Sequence, residues 1–125
     1  MENKIKSFED LVVWQKCNEL TKEVYKTTKL LPSDERYNLV SQMRRASVSI
    51  QSNIAEGFTK RGKKDKMNFY NIALASSQEL KSCFLLVKGL DYIRNIDGMI
   101  EKIDEVGKLL NGLIRSIRNR DFPNP

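Results

Sequence analysis

Histidine is missing from this 125-residue chain. Its absence removes the commonest general base, most zinc sites and the Glu-x-x-His pairs of di-iron bundles. Cysteine is scarce. Cys17 and Cys83 are far apart, without companion ligands, at apolar helix positions. They read as buried free thiols rather than as a disulfide or redox pair. Proline occurs at Pro32, Pro123 and Pro125 only, so it interrupts little. No apolar run approaches the roughly 20 residues of a membrane span. The opening "MENKIKSFED" lacks the apolar core of a signal peptide. These absences predict a cytoplasmic protein with no membrane contact. Gly-rich phosphate loops, Ser or Cys triads and EF-hand patterns are also lacking. The expectation is a protein that is not an enzyme, with no cofactor and no metal.

What is present is charge, unevenly placed. The net charge is +6. Residues 1–34 balance at six basic and six acidic groups, and so do residues 90–125. Residues 35–66 carry eight basic groups against three acidic ones. The basic residues are Arg36, Arg44, Arg45, Lys60, Arg61, Lys63, Lys64 and Lys66. A localised excess of this kind is the footprint of a polyanion site, whereas a diffuse one favours solubility alone.

Apolar residues recur at helical spacing in four segments, and strand signals are absent. The chain is long enough for one domain with its own core. Four helices are predicted, over roughly 8–30, 34–57, 65–89 and 97–119. "SFED" places Ser7 at a cap with Asp10 three residues on, a capping-box variant. Val13, Cys17, Leu20 and Val24 follow, with Trp14, Thr21 and Tyr25 beside them. Pro32 ends that helix, and Ser33 is the expected cap of the next. There Leu39, Met43, Ala46, Ile50, Ile54 and Gly57 form the apolar face, and Gly57 can end the helix. "FTKRGKKDK" reads as a loop. The third stripe is Phe69, Ile72, Ala73, Ser76, Leu80, Cys83, Phe84 and Val87, with Gly89 as terminator. Asp97 caps the fourth, whose stripe is Met99 or Ile100, Ile103, Val106, Leu110, Leu113 or Ile114, and Ile117. The tail "RDFPNP" is expected to fray. Short connections make an antiparallel up-down-up-down four-helix bundle the simplest all-α architecture.

The second helix also carries a polar stripe of Gln42, Arg45, Ser49, Asn53 and Glu56. These residues are short or amide-bearing, unlike a usual Lys/Glu-rich wet face. Ser76 and Glu79 edge the third helix's stripe, and Glu79 is a candidate partner for Arg45 or Asn53. The set reads as a structural polar network or a subunit interface; an exposed flank is the plain alternative. On the other side of the same helix lie Arg44, Val48, Gln51 and Ala55. Small apolar residues there hint at self-association, with Trp14 and Tyr25 as further contacts.

"FEDLVVWQK", "VYKTTKLLPSDERYNLVSQMRRASVSIQSNIAEG" and "FYNIALASSQEL" resemble the four-helix-bundle family encoded in intervening sequences of bacterial 23S rRNA genes. That family looks related to the accessory variability protein of diversity-generating retroelements. The most specific block is Q-x-R-R-A-x-x-S-I-x-x-N-I-A-E-G, from Gln42 to Gly57. Where the family often has Gly in its third helix, this chain has Ala75, which permits a less close helix approach. The resemblance implies an antiparallel bundle assembling into a ring of five, with a positively charged surface. Relatives in the retroelement branch imply nucleic acid and a reverse transcriptase as partners.

Two functions are therefore expected. The first is an oligomer binding RNA or DNA with low sequence specificity, through Arg36, Arg44, Lys60, Arg61, Lys63, Lys64 and Lys66. The alternative is a protein-binding scaffold or adaptor for a ribosomal or reverse-transcriptase-type partner.

Overall fold

A computed structural model describes residues 5–120. Among them are four long helices and no strand. The helices are α1 (Val12–Thr28), α2 (Leu39–Thr59), α3 (Lys63–Gly89) and α4 (Asp97–Arg118). Each packs against the next, and α1 also packs against α4, so the four close around one core. The described helices contain no segment long and apolar enough to cross a membrane. All of "RDFPNP" beyond Arg120 lies outside the described residues.

The periodic apolar residues build that core. Cys17, Leu20, Val24, Met43, Ile50, Ile54, Leu80, Phe84, Ile103 and Leu110 are all essentially inaccessible to water. Of the paired candidates on α4, Met99 and Ile114 are buried, while Ile100 and Leu113 pack at its edge. Burial pushes the Cys17 thiol up to about 12 and raises that of Cys83 as well. Neither thiol is therefore a ready nucleophile. Ile72 departs from the expected stripe: it is 40% exposed. Its place is taken by Tyr70, which is buried.

Helix ends differ from the expectation in instructive ways. Ser7 and Asp10 do make the capping box: Ser7 Oγ accepts from the Glu9 amide, and Asp10 Oδ2 accepts from the Ser7 amide. The box closes only a single 3-10 turn, Phe8–Asp10, and α1 begins at Val12. Edge-to-face packing of Phe8 on Trp14, with centroids 5.2 Å apart, holds that turn against α1. Ser33 caps neither helix nor turn: it is the first residue of a 3-10 turn, Ser33–Glu35, makes no side-chain cap bond, and α2 starts at Leu39. At its far end α2 runs through Gly57 to Thr59. Gly57 is there for space: a Cβ would sit 2.6 Å from the Tyr70 ring.

Gly89 is the last residue of α3, not its terminator. The chain turns at Asp91, the one non-glycine residue with positive φ among the described residues, at 60°. The Asp91 amide bonds the Lys88 carbonyl and the Tyr92 amide bonds that of Val87. This is the Schellman pattern, with Asp in the left-handed position more often given to Gly. Tyr92 then donates to Glu35 Oε2 at 2.8 Å and ties this turn to the 3-10 turn that precedes α2. Asp97 is the first residue of α4 and caps nothing; the Asn95 side chain accepts from its amide instead.

Candidate nucleic-acid interface

The segment expected to be a basic loop is mostly helix. Only residues 60–62 connect α2 to α3, and Lys63, Lys64 and Lys66 lie in the first turn of α3. Three of the five cations there bond the fold itself. The Lys66 ammonium donates to the carbonyls of Gly57 and Phe58 at 3.1 and 2.9 Å, satisfying the end of α2. Burial pulls its pKa below the usual lysine value, and repulsion from Arg120 adds to this. Lys63 donates to the Arg118 carbonyl at 2.6 Å, at the end of α4. Lys60 lies 3.9 Å from Glu56 and over the Phe69 ring. Cations at helix C-termini complement the macrodipole there. Arg61 and Lys64 are exposed and pair with no carboxylate among the described residues.

The same contacts bring α4 to this end of the bundle. Lys63 touches its last turn, and Arg120 is near enough to act on Lys66. Arg115, Arg118 and Arg120 are exposed there. These arginines were missed in the sequence, because the charges of residues 90–125 cancel when summed.

Arg36 and Arg44 lie elsewhere. Sixteen residues separate Arg44 from Lys60 on α2, about 24 Å at ~1.5 Å per residue. Arg44 is tied down: Nε donates to Thr28 Oγ1 at 3.0 Å, one terminal nitrogen donates to the Tyr25 carbonyl, and the guanidinium stacks 4.6 Å from the Tyr25 ring centroid. It fastens α2 to the end of α1. Arg36 and Arg44 share with Lys29 a separate hollow of about 370 Å³. The seven expected cations thus fall at two ends, not one surface.

The polar stripe of α2 splits in two. Ser49 Oγ meets Ser76 Oγ across the α2–α3 contact at 2.9 Å. The Asn53 amide donates to the Ser49 carbonyl and hydroxyl at 2.8 and 3.2 Å. This half is a real inter-helix network. Gln42, Arg45 and Glu79 instead line a groove of about 370 Å³ with Ala46 and Ser49. No ion pair joins Glu79 to Arg45 among the described residues. Glu56 faces Lys60, as above. On the other flank, Tyr25, Val48 and Ser52 border a wider groove of about 660 Å³.

No curated protein matches the chain. Among solved structures, it is similar to a protein of unknown function from the S23 ribosomal protein family of Bacteroides thetaiotaomicron. The identity is 26% and the TM-score 0.77, covering 83% of this chain and 96% of that one. The family model described as 23S rRNA-intervening sequence protein matches residues 9–112. That match spans most of α1 to α4, including the block from Gln42 to Gly57, and the chain belongs to the 23S rRNA-intervening sequence protein family.

Proposed function

We propose that this protein is a non-enzymatic, cytoplasmic assembly of up-down-up-down bundles that binds RNA or DNA with little sequence preference. One observation carries the reading. The end of α2, the start of α3 and the end of α4 gather Arg61, Lys64, Arg115, Arg118 and Arg120 at one end of the bundle, all of them exposed. Lysines that could have joined them are spent on helix carbonyls, which fixes the platform on which the others stand. Backbone phosphates are the ligand such a cluster fits, and contacts to them carry no sequence information. The family's description, a 23S rRNA-intervening sequence protein, accords with a nucleic-acid context.

Self-association is the second part of the proposal. A cyclic assembly needs two unlike faces on each subunit. On α2, Val48 is 42% exposed beside Tyr25, which is 39% exposed. On α3, Ile72, Ala75, Glu79, Ser82 and Leu86 recur along one exposed stripe. These are the two faces a ring would join, five subunits being the number the family resemblance implies. The same apolar exposure favours the adaptor reading, in which a ribosomal or reverse-transcriptase-type protein covers the α3 stripe.

Light scattering with and without short RNA and DNA tests both parts. The expected result is a multi-subunit particle that gains mass with either polymer, with binding that weakens steeply as salt is raised. A protomer that stays single and ignores both polymers at low salt contradicts the proposal. A protein partner captured equally well after nuclease treatment favours the adaptor.

A further inference from the structure

The even charge total of residues 90–125 conceals a division along α4. Two of the four acids in its first half are paired. Asp104 accepts from Lys81 of α3 at 2.9 Å, and Glu105 lies 3.6 Å from Lys16 of α1. Beyond Glu105 the helix holds no acid, and Lys108, Arg115 and Arg118 are exposed. None of the three forms an ion pair among the described residues.

Their placement is ordered. At 3.6 residues per turn, Asp104, Lys108, Asn111, Arg115 and Arg118 fall in an arc of about 80°. Asp104 pairs with α3 whereas Glu105, on the other flank, pairs with α1. The arc therefore faces the α3 side, the side from which Lys63 reaches the Arg118 carbonyl. It lines a groove of about 570 Å³ formed by Lys108, Asn111, Ile114, Arg115 and Arg118. Lys108 to Arg118 spans about 15 Å, and the exposed Arg61 and Lys64 lie beyond its end. Complementing the helix dipole accounts for cations in the last turn only. It leaves Lys108, nearly three turns back, without a role.

We propose that this arc of α4 is the principal track for a polynucleotide backbone. Lys108, Arg115 and Arg118 each neutralise a phosphate, Asn111 donates to a sugar or phosphate oxygen, and Arg61 and Lys64 prolong the track. The inference rests on the nucleic-acid reading above and names its site. The ligand is the phosphodiester chain common to RNA and DNA. About four nucleotides cover the arc, at ~3.4 Å of axial rise per nucleotide on one strand. Arginine forks suit phosphate oxygens.

The test is fluorescence anisotropy with a labelled oligouridine and an oligothymidine of equal, short length, over a series of KCl concentrations. Each lost phosphate contact lowers the slope of log K against log salt by about 0.7 to 0.9. The Lys108→Ala/Arg115→Ala/Arg118→Ala variant is expected to lose about two to three in slope with both probes. Arg115→Lys/Arg118→Lys is expected to keep it. Lys22→Ala/Lys26→Ala/Lys29→Ala removes equal charge from α1 and the residue that caps its end, and is expected to leave the slope unchanged. Should the α4 triple variant melt early, the single substitutions, each lowering the slope by about 0.7 with these single-stranded probes, give the same answer. If the α4 variants keep the wild-type slope, or if the α1 triple loses as much, the track is overturned while the broader reading stands. If the wild type binds neither probe in a salt-dependent way, both fall.

Discussion

Gly57 and Tyr70 approach each other closely inside the bundle. The ring is buried, so burial pushes its phenol up to about 12, and it occupies the space a Cβ at position 57 would need. Two effects of opposite sign meet there. Alanine inside a helix is favoured over glycine by about 1 kcal/mol, while overpacking a core costs about 1 to 3 kcal/mol. Gly57→Ala is therefore expected to destabilise the protein by about 1 kcal/mol in urea unfolding. In a Tyr70→Ala background the same glycine change is expected to stabilise. Stabilisation in both backgrounds would mean that the ring does not need the space. Sequence reading gave Gly57 the wrong reason, helix termination, because a close approach is invisible until the partner ring is known. Tyr70 was passed over because Phe69 and Ile72 fit a stripe nearly as well, and a helical period alone cannot rank neighbours one position apart.

At the scale of elements, the α2–α3 contact is the broadest of the fold, and the Ser49–Ser76–Asn53 bonds sit within it. Removing one hydroxyl leaves the other short of a partner, and removing both does not. Ser49→Ala and Ser76→Ala are each expected to cost about 1 kcal/mol, and the double variant clearly less than their sum. Additive losses would show that the two hydroxyls are not coupled. The four stripes were legible in the sequence because burial selects apolar residues at a fixed period. Ends were less so. Ser7 and Ser33 look like helix caps, yet Ser7 closes only one 3-10 turn and Ser33 makes no cap bond at all, since a capping residue type does not say whether or how far a helix continues. Lys63 and Lys66 look like loop residues. Both lie in the first turn of α3, and their ammonium groups donate hydrogen bonds to carbonyls at the ends of α2 and α4, contacts that a linear reading does not reveal.

For the whole molecule, charge is arranged by end rather than by segment. The basic excess of residues 35–66 drew attention to Arg36 and Arg44; the fold places Arg44 about 24 Å along α2 from Lys60 and ties it to α1. It drew none to Lys108, Arg115 and Arg118, whose charges cancel against acids at the far end of the same helix. Linear sums cannot see this, because α4 lays its acidic half and its basic half against different parts of the bundle. The end carrying Arg61, Lys64, Arg115 and Arg118 is the one we propose docks a polynucleotide backbone. Lysine acetylation of the intact protein, with and without a short oligonucleotide, read residue by residue by mass spectrometry, checks this at any assembly size. The expected result is protection of Lys64 and Lys108, with Lys22, Lys26 and Lys29 labelled as before. Protection at Lys29, with Lys64 and Lys108 still labelled, would place the ligand at the Arg36–Arg44 end and contradict the claim.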